Sequence, residues 1–348
     1  MRETGVIALS LIALTAIGMG ADLELKTKAN LRAGAIQIED EAGDKTTTLS
    51  LGGLVGIETT PIQGFSMSAT FFTTNPLFGK NDEAMFLNST NDGYSILGES
   101  FIQAQVGETT LKVGRQIIDT PYADSDDIGM VPDSFEGYSL ISKDIADTTI
   151  ILASLDKWAG VDTEQPEKFR NLQESDDAVL AGGVIYEGVE NTTLQAWHYK
   201  LDNANLTYLE AGYETEEFKL AGQYSDQDNS NLVWGVSAGV NIGDLALTTA
   251  YNKVDGEVIN GFGGGPFFTS SEDHTIAEVS DQEAWLVGAE YGYKQFTGAI
   301  THVNFDKGEN ETDYLLSYAM NDNFSMDIIY SDMYDDGKMT RLFANYSF

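Results

Sequence analysis

Polar and hydrophobic residues alternate along this chain with a period of two. In the first clear segment, residues 23–35, the odd positions are mostly apolar, whereas Lys26, Lys28 and Arg32 occupy even positions. Successive side chains of a β-strand point to opposite faces, so the pattern predicts a strand with one apolar and one polar face. An apolar face turned outward and a polar face turned inward suit a barrel closed around water.

Residues 341–348 repeat the pattern near the other end of the sequence. Leu342, Tyr346 and Phe348 share an apolar face, and Arg341 lies on the opposite, mostly polar face. The final aromatic residue resembles the insertion signal of bacterial outer-membrane barrels, which implies that Phe348 is an assembly signal for the barrel-assembly machinery. The alternative is an edge strand of a soluble β protein.

Alternating segments of this kind recur along the chain, and the connections between them are alternately short and long. Short turns at one rim and long loops at the other are typical of outer-membrane barrels. The sequence therefore predicts an all-β fold, a closed antiparallel transmembrane β-barrel. It would have about 18 strands, or 16, with short periplasmic turns and long extracellular loops.

The N-terminal segment is apolar but short. Residues 6–17 are mostly hydrophobic, and small residues follow up to Ala21. This length is too short for a transmembrane helix and is typical of a secretory signal peptide. We therefore expect residues 1–20 to be a signal peptide and residues 21–348 to form the barrel domain. No later run of ~18 apolar residues occurs, so no helical anchor is predicted.

Charge and composition narrow the class of protein. The sequence has 55 acidic and 19 basic residues, a formal net charge of -36, and no cysteine. Nucleic acid is excluded as a partner because neutralising its phosphates requires many Lys and Arg residues. The lack of cysteine excludes a disulfide scaffold in an exported chain. No serine-hydrolase, zinc-protease or phosphate-loop motif occurs, so the sequence predicts no catalytic residues, no metal site and no cofactor.

Two segments carry a more specific signal. Residues 114–138 contain, in order, Gly-Arg-Gln, Thr-Pro-Tyr, an acidic pair and Val-Pro-Asp-Ser-Phe-Glu-Gly-Tyr, and they are similar to the third-loop region of the OprD family of substrate-specific porins. Residues 264–270, Gly-Gly-Pro-Phe-Phe-Thr-Ser, resemble the seventh-loop region of that family. The resemblance implies an eighteen-strand barrel in which loops three and seven fold inward to narrow a pore. It also implies passage of small solutes, often carrying a carboxylate, along a row of basic residues.

The first candidate constriction is the acidic loop at residues 118–136. Inside a barrel its carboxylates would face the opposite wall and supply one half of an electric field across the pore. The alternative is an acidic surface loop, or one that binds a divalent cation. The carboxylates are Asp119, Asp124, Asp126, Asp127, Asp133 and Glu136.

The other half of that field requires basic side chains. Lys26, Lys28 and Arg32 lie on the predicted lumen face of the first strand. Arg341 lies on the lumen face of the last strand, which must pair with the first if the barrel closes. These cations would therefore gather on one sector of the wall. Solvated lysines near a rim are the alternative, especially for Lys26.

Two further basic residues are less regular. Lys112 has polar parity, whereas Arg115 shares the parity of Leu111 and Val113 and would face the lumen only if a β-bulge at Gly114 redirected it. The chain has four arginines after the signal peptide, so the basic row that the resemblance implies is depleted. The large negative net charge instead favours cations through its long-range field.

The second candidate is the loop at residues 256–281, which is rich in glycine and phenylalanine. Glycines allow the backbone to fold tightly into a pore, and the aromatic rings could give a solute an apolar wall. A surface loop that makes contacts outside the cell is the alternative. The residues singled out are Gly264, Gly265, Pro266, Phe267, Phe268, Glu272 and Asp273.

The interpretation that unites these features is an outer-membrane porin of a Gram-negative bacterium rather than an enzyme. It would allow passive diffusion of small hydrophilic solutes, including carboxylate-bearing ones, through a constricted water-filled channel. Outer-membrane lipid and lipopolysaccharide would surround it as a monomer or a homotrimer. Two alternatives remain. One is a barrel whose long loops adhere to surfaces or bind divalent cations, and the other is an outer-membrane hydrolase with a Ser–His dyad, for which no motif is present.

Overall fold

The computed structural model describes residues 24–78, 85–126, 128–163, 165–228 and 230–348. The predicted signal peptide and Asp127 lie outside the described residues. Two short 3₁₀ helices cover Ile276–Glu278 and Tyr334–Asp336. The strands are β1 (Leu25–Glu39), β2 (Lys45–Thr59), β3 (Phe65–Phe78), β4 (Tyr94–Val106), β5 (Thr109–Gln116), β6 (Ser134–Ile145), β7 (Thr148–Ala159), β8 (Arg170–Asn171), β9 (Val179–Val189), β10 (Thr192–Lys200), β11 (Asn205–Glu214), β12 (Phe218–Asp226), β13 (Leu232–Ile242), β14 (Leu245–Asp255), β15 (Glu283–Tyr293), β16 (Phe296–Phe305), β17 (Glu311–Asn321), β18 (Phe324–Asp332) and β19 (Lys338–Ser347).

Eighteen of these strands form one closed antiparallel barrel. Consecutive strands pair around the ring, β7 pairs with β9, and β19 pairs with β1 to close it. The two-residue β8 pairs with the end of β7 and is not one of the strands of the barrel wall. Arg32 of β1 therefore has strand partners on both sides, Gly52 and Asn345. The predicted eighteen-strand fold is confirmed, and the sixteen-strand alternative is wrong.

The two faces of the wall differ as the alternation predicts. Large apolar side chains such as Leu31, Val236 and Ile300 are exposed on the outer face. Small polar side chains such as Ser50 and Thr70 are buried on the inner face. In a membrane, outward apolar residues contact lipid and inward polar residues contact the lumen.

Exposed aromatic side chains gather near the short-turn ends of the strands. Phe348 belongs to this group, since it is 62% exposed and its backbone N–H donates to Ala29 O over 3.1 Å. Aromatic rings are favoured at this depth because they sit between headgroups and hydrocarbon. The role of Phe348 as an assembly signal stays a prediction. Other members of the group are Tyr213, Tyr291, Tyr293 and Phe296.

The connections at the two rims differ in length. At one rim, tight turns contain Asp147, Asn191 and Lys294 with φ angles of 55°, 59° and 58°, a conformation typical of two-residue hairpins. The long connections gather at the other rim. Three of them are used below and are named L3 (residues 117–133), L4 (residues 160–178) and L7 (residues 256–282) from their order among the long loops.

Loop residues fill part of the barrel interior. Tyr122 of L3 and Phe267 of L7 join a large buried apolar cluster on the inner wall between β7 and β16. A smaller cluster places Met130 of L3 against Ile36 of β1 and Phe343 of β19. L3 therefore contacts two separate sectors of the wall. Within the described residues, no helix is long and apolar enough to cross a bilayer.

Adjacent residues on β13 test the orientation of the wall. Val236→Arg would place a charge against lipid, whereas Ser237→Arg would place it in the lumen. We expect Val236→Arg to lower the free energy of unfolding by about 2–4 kcal/mol and Ser237→Arg by much less. Urea-induced unfolding in liposomes, followed by heat-dependent gel mobility, measures both losses. Equal losses would contradict the assignment of the two faces.

Candidate functional site

L3 is fastened at one end to the wall formed by β10, β11 and β12. The Tyr122 side chain is buried, and its hydroxyl oxygen lies 2.5 Å from Ser225 Oγ. Its ring meets those of Tyr199 and Tyr208 edge-on, with centroids 5.3 Å and 6.1 Å apart. Edge-to-face packing is a favourable arrangement of aromatic rings. The tyrosine of the Thr-Pro-Tyr motif therefore holds L3 inside the barrel.

The other end of L3 reaches the first strand. Arg32 Nη1 donates a hydrogen bond of 2.7 Å to Gly129 O. Met130 packs on Gly34, where a Cβ atom would lie 2.5 Å from the methionine sulfur. Because β1 and β12 stand on far sides of the ring, L3 crosses the lumen.

L7 meets L3 inside the barrel. Asp124 N donates to Phe262 O over 3.0 Å, and Phe262 N donates to Tyr122 O over 3.1 Å. Gly263 permits this approach because its φ angle is 74° and a Cβ atom there would lie 2.2 Å from Asp124 O. Both loops that the resemblance singled out thus fold inward and touch.

Glu311 of β17 anchors L7 to the wall. This buried carboxylate accepts hydrogen bonds from Ser271 Oγ at 2.7 Å, from His274 N at 2.8 Å and from Asp273 N at 3.1 Å. Buried polar groups are stabilised when they are hydrogen-bonded. Residues 271–274 are therefore held tightly against the inner wall.

Arg341 belongs to the same anchor. Its side chain is fully buried, and Nη2 lies 2.9 Å from Glu272 Oε2 and 3.6 Å from Asp273 Oδ2. The sequence predicted that the acidic L3 would approach the wall bearing Lys28, Arg32 and Arg341. L3 reaches Arg32, but Arg341 contacts Glu272 and Asp273 of L7. Glu311 of β17 holds this part of L7 against the same sector of the wall.

L3, L7 and the region around the start of L4 surround a cavity of about 730 Å³, which we name the vestibule. The rings of Trp158 and Phe262 line it and meet edge-to-face, with centroids 5.7 Å apart. Among the described lining residues, His274 alone can carry a positive charge. The vestibule is therefore strongly acidic. Its carboxylate residues are Asp124, Asp126, Asp162, Glu272 and Asp273.

Burial and mutual repulsion perturb the vestibule carboxyl groups. Burial, followed by the charges of Asp162, Asp124 and Glu272, raises the pKa of Asp126 to about 7. Behind the lining, burial and the charge of Asp162 raise the pKa of Asp133 to about 10. Neighbouring carboxyl groups without a cation do not all ionise readily. The negative charge of the vestibule therefore grows as the pH rises through about 7.

Asp119 and Glu136 do not line the vestibule. Asp119 is exposed and accepts a hydrogen bond of 2.6 Å from Ser125 Oγ. Glu136 is on β6, where its Oε2 accepts a hydrogen bond of 2.9 Å from Arg115 Nε. Strand pairing keeps its register through Gly114, so the bulge that would turn Arg115 toward the lumen is absent. Arg115 and Glu136 form a cross-strand ion pair near the long-loop rim.

The other predicted basic residues lie on the wall, nearer the short-turn rim. Lys28 forms an ion pair with Glu99 of β4. Lys112 lies over the ring of Phe101, with Nζ 4.7 Å from the centroid. Lys26 is exposed. These cations are distributed over β1 and β5 and do not face the vestibule.

The glycine–phenylalanine segment of L7 shapes one side of the vestibule. Gly264 and Gly265 line it, and Gly265 lies so close to Asn260 that a Cβ atom would be 2.3 Å from the amide oxygen. Phe267 is buried in the large apolar cluster, and Phe268 packs against that cluster. Pro266 lies between the two glycines and the two phenylalanines.

Four residues of the site carry little signal in the sequence. Asp162 of L4 and Trp158 of β7 meet L3 and L7 only through the folding of distant segments. Glu99 and Glu311 lie on lumen faces, so strand parity could have placed them on the inner wall. Their partners, however, come from other strands and loops, and no local pattern identifies them.

Comparison with known proteins agrees with this geometry. A family model described as outer membrane porin, OprD family, matches residues 80–265, more than half of the chain. The crystal structure of OpdK from Pseudomonas aeruginosa matches with a TM-score of 0.80 at 17% identity, covering 93% of this chain and 99% of that one. OccK9 (OpdG) from the same organism matches with a TM-score of 0.82 at 15% identity, and the match covers 93% of this chain and 98% of OccK9. OccAB4 from Acinetobacter baumannii matches with a TM-score of 0.79 at 17% identity, and the match covers 93% of this chain and 98% of OccAB4.

The chain belongs to the OprD family of outer membrane porins. The family and the barrel together assign it to the outer membrane of a Gram-negative bacterium. At their low identities the solved structures establish the shared fold. No curated protein sequence matches the chain.

Arg341 and Glu272 should stabilise the docked L7 as a coupled pair. Arg341→Met leaves the half-buried Glu272 carboxylate without its cation. Glu272→Gln leaves the buried arginine beside a neutral acceptor, and the double variant removes both charges. We expect a coupling energy of about 1–3 kcal/mol, because each single change leaves a partner uncompensated. Thermal unfolding and limited proteolysis within L7 measure it. Additive effects of the two changes would contradict the pairing.

Proposed function

We propose that this protein is a passive diffusion channel for small hydrophilic solutes. The observation that carries the proposal is the hydrogen-bonded contact between L3 and L7 inside the barrel. It leaves the vestibule as the space in which a solute meets the constriction. A solute that loses water there needs polar and charged groups to replace its hydration, and the lining supplies them.

Preference for carboxylate-bearing solutes is a narrower part of the proposal. It is supported by the family resemblance and by the structure of OpdK with vanillate. The basic residues of this chain support it less, because half of the six predicted ones are ion-paired. The pairs are Arg341 with Glu272, Lys28 with Glu99, and Arg115 with Glu136. Reversal potentials in gradients of carboxylate and ammonium salts would decide it.

Because the chain has no cysteine, one introduced thiol can test the solute path. Ile128→Cys places the thiol on the vestibule lining, and Asp202→Cys places it on the exposed loop between β10 and β11. In planar bilayers we expect the wild-type protein to carry an ion current that rises linearly with salt. A bulky thiol reagent should lower the conductance of Ile128→Cys severalfold and that of Asp202→Cys little.

Absence of current from folded wild-type protein would contradict the channel and favour the alternative of adhesive or cation-binding loops. Equal responses of the two cysteine variants would place the solute path elsewhere in the barrel. Heat-dependent gel mobility confirms that each variant is folded before it is recorded.

A further inference from the structure

The outer wall of the barrel carries a groove across β10–β15, on the face opposite to the lumen. Its floor consists of Ala211, Gly222, Ala238 and Thr249, and we name it the wall groove. Leu220, which borders the floor, is 55% exposed, as expected of a side chain that contacts lipid. The volume of about 520 Å³ lies in the range of pockets that hold small molecules.

The register of the strands creates the groove. Ala211 pairs with Gly222, and Gly222 pairs with Val236, so this row of neighbours changes from small to large side chains between β12 and β13. In the next row toward the short turns, Leu220 pairs with Ala238, and the change runs in the opposite direction. The floor of the groove therefore passes obliquely between Leu220 and Val236.

The two ends of the groove differ. On the long-loop side, Tyr251 meets Trp234 and Trp285 with ring centroids 5.3 Å and 4.5 Å apart, and Tyr251 and Trp285 line the groove there. At the other end the lining reaches Thr192, the first residue of β10, next to a short turn. Short turns of outer-membrane barrels are periplasmic. The groove therefore meets the periplasmic leaflet of the membrane, where phospholipids reside.

The threonine hydroxyls of the lining already have partners. Thr249 Oγ1 donates to Leu286 O over 3.0 Å, and Thr192 Oγ1 donates to Glu190 O over 3.2 Å. The backbones of β11–β14 pair within the sheet. A polar occupant would lose its hydrogen bonds with water here without replacing them, which is costly. A hydrocarbon chain has no such cost, and close van der Waals packing favours its retention within a bilayer.

The short-turn rim beside Thr192 is acidic. Residues 190–191 and 214–219 include four acidic residues and one basic residue. The basic residue, Lys219, lies with Nζ 2.7 Å from Glu214 Oε1, so this pair is neutral. Glu190, Glu216 and Glu217 are exposed. Because like charges repel, these carboxylates favour a lipid headgroup that carries an ammonium group over a purely anionic one.

From these observations we infer that the wall groove binds one phospholipid of the periplasmic leaflet, with an acyl chain on the floor and an ammonium-bearing headgroup beside the short turns. The chain passes between Leu220 and Val236, and Tyr251 and Trp285 limit how far it extends. The site lies outside the barrel, so the inference does not depend on the passage of solutes through the lumen.

Gly222 allows the groove to be filled without disturbing the wall. A Cβ atom on Gly222 would meet nothing nearer than Gly235 O at 3.9 Å, so the ring of Gly222→Phe can extend into the groove. Gly298→Phe is the matched control. Gly298 lies on the lipid-facing wall between Tyr291 and Leu316, outside the groove, and a Cβ atom there has a clearance of 4.0 Å.

Native mass spectrometry of the detergent-solubilised protein measures lipid retention after mixing with equal amounts of dioleoyl phosphatidylethanolamine and dioleoyl phosphatidylglycerol. We expect the wild type and Gly298→Phe to retain one phosphatidylethanolamine molecule, and Gly222→Phe to retain severalfold less. Glu216→Gln/Glu217→Gln should reduce the preference for phosphatidylethanolamine. Glu108→Gln removes an exposed carboxylate from the distant short turn between β4 and β5 and should leave the preference unchanged.

Ala238→Leu also narrows the floor, and it replaces Gly222→Phe if heat-dependent gel mobility shows that Gly222→Phe is not folded. Equal lipid retention by the groove-filling variant and Gly298→Phe would overturn the inference. Preferred retention of phosphatidylglycerol, or of lipopolysaccharide added as a third lipid, would overturn it as well. Loss of an oligomer instead of a lipid in the groove-filling variant would assign the groove to a second copy of the chain.

Discussion

Closure of backbone hydrogen bonding between β1 and β19 is the constraint on which the rest of the structure depends. Within a bilayer no water is present to hydrogen-bond the free N–H and C=O groups of a strand edge, so the sheet must close into a ring. A ring of eighteen strands encloses more space than the wall side chains can fill, and L3 and L7 occupy part of it. Because Arg341 pairs with Ile36 across the closing seam, closure also sets the place where L7 is anchored.

Two kinds of contact then hold the loops inside. The rings of Tyr122 and Phe267 bury apolar surface against one sector of the wall, and Glu311 and Arg341 bind polar groups of L7 at another. A buried arginine requires a closely matched partner, since an uncompensated buried charge is strongly destabilising. Docking of L7 therefore removes Arg341 from the lumen surface. Among the described residues, no cation is found beside Asp124, Asp126 or Asp162, so this part of the vestibule is acidic.

The barrel fold identifies the class of protein, whereas the ion pairs determine which charges line the vestibule. The barrel is shared with a solved OprD-family porin, and the charge pairs described above are those of this chain.

The sequence by itself determined the barrel, the closing pair of strands and the lumen parity of Lys28, Arg32 and Arg341. These features depend on a period of two residues, which is local and which lipid enforces at every strand. The inward folding of L3 and L7 was implied by a family resemblance. Only the tertiary structure decided which charges meet, because Lys28 and Glu99 are 71 residues apart and Arg341 and Glu272 are 69 apart. No local pattern encodes such pairs, since they depend on how loops pack within the closed ring.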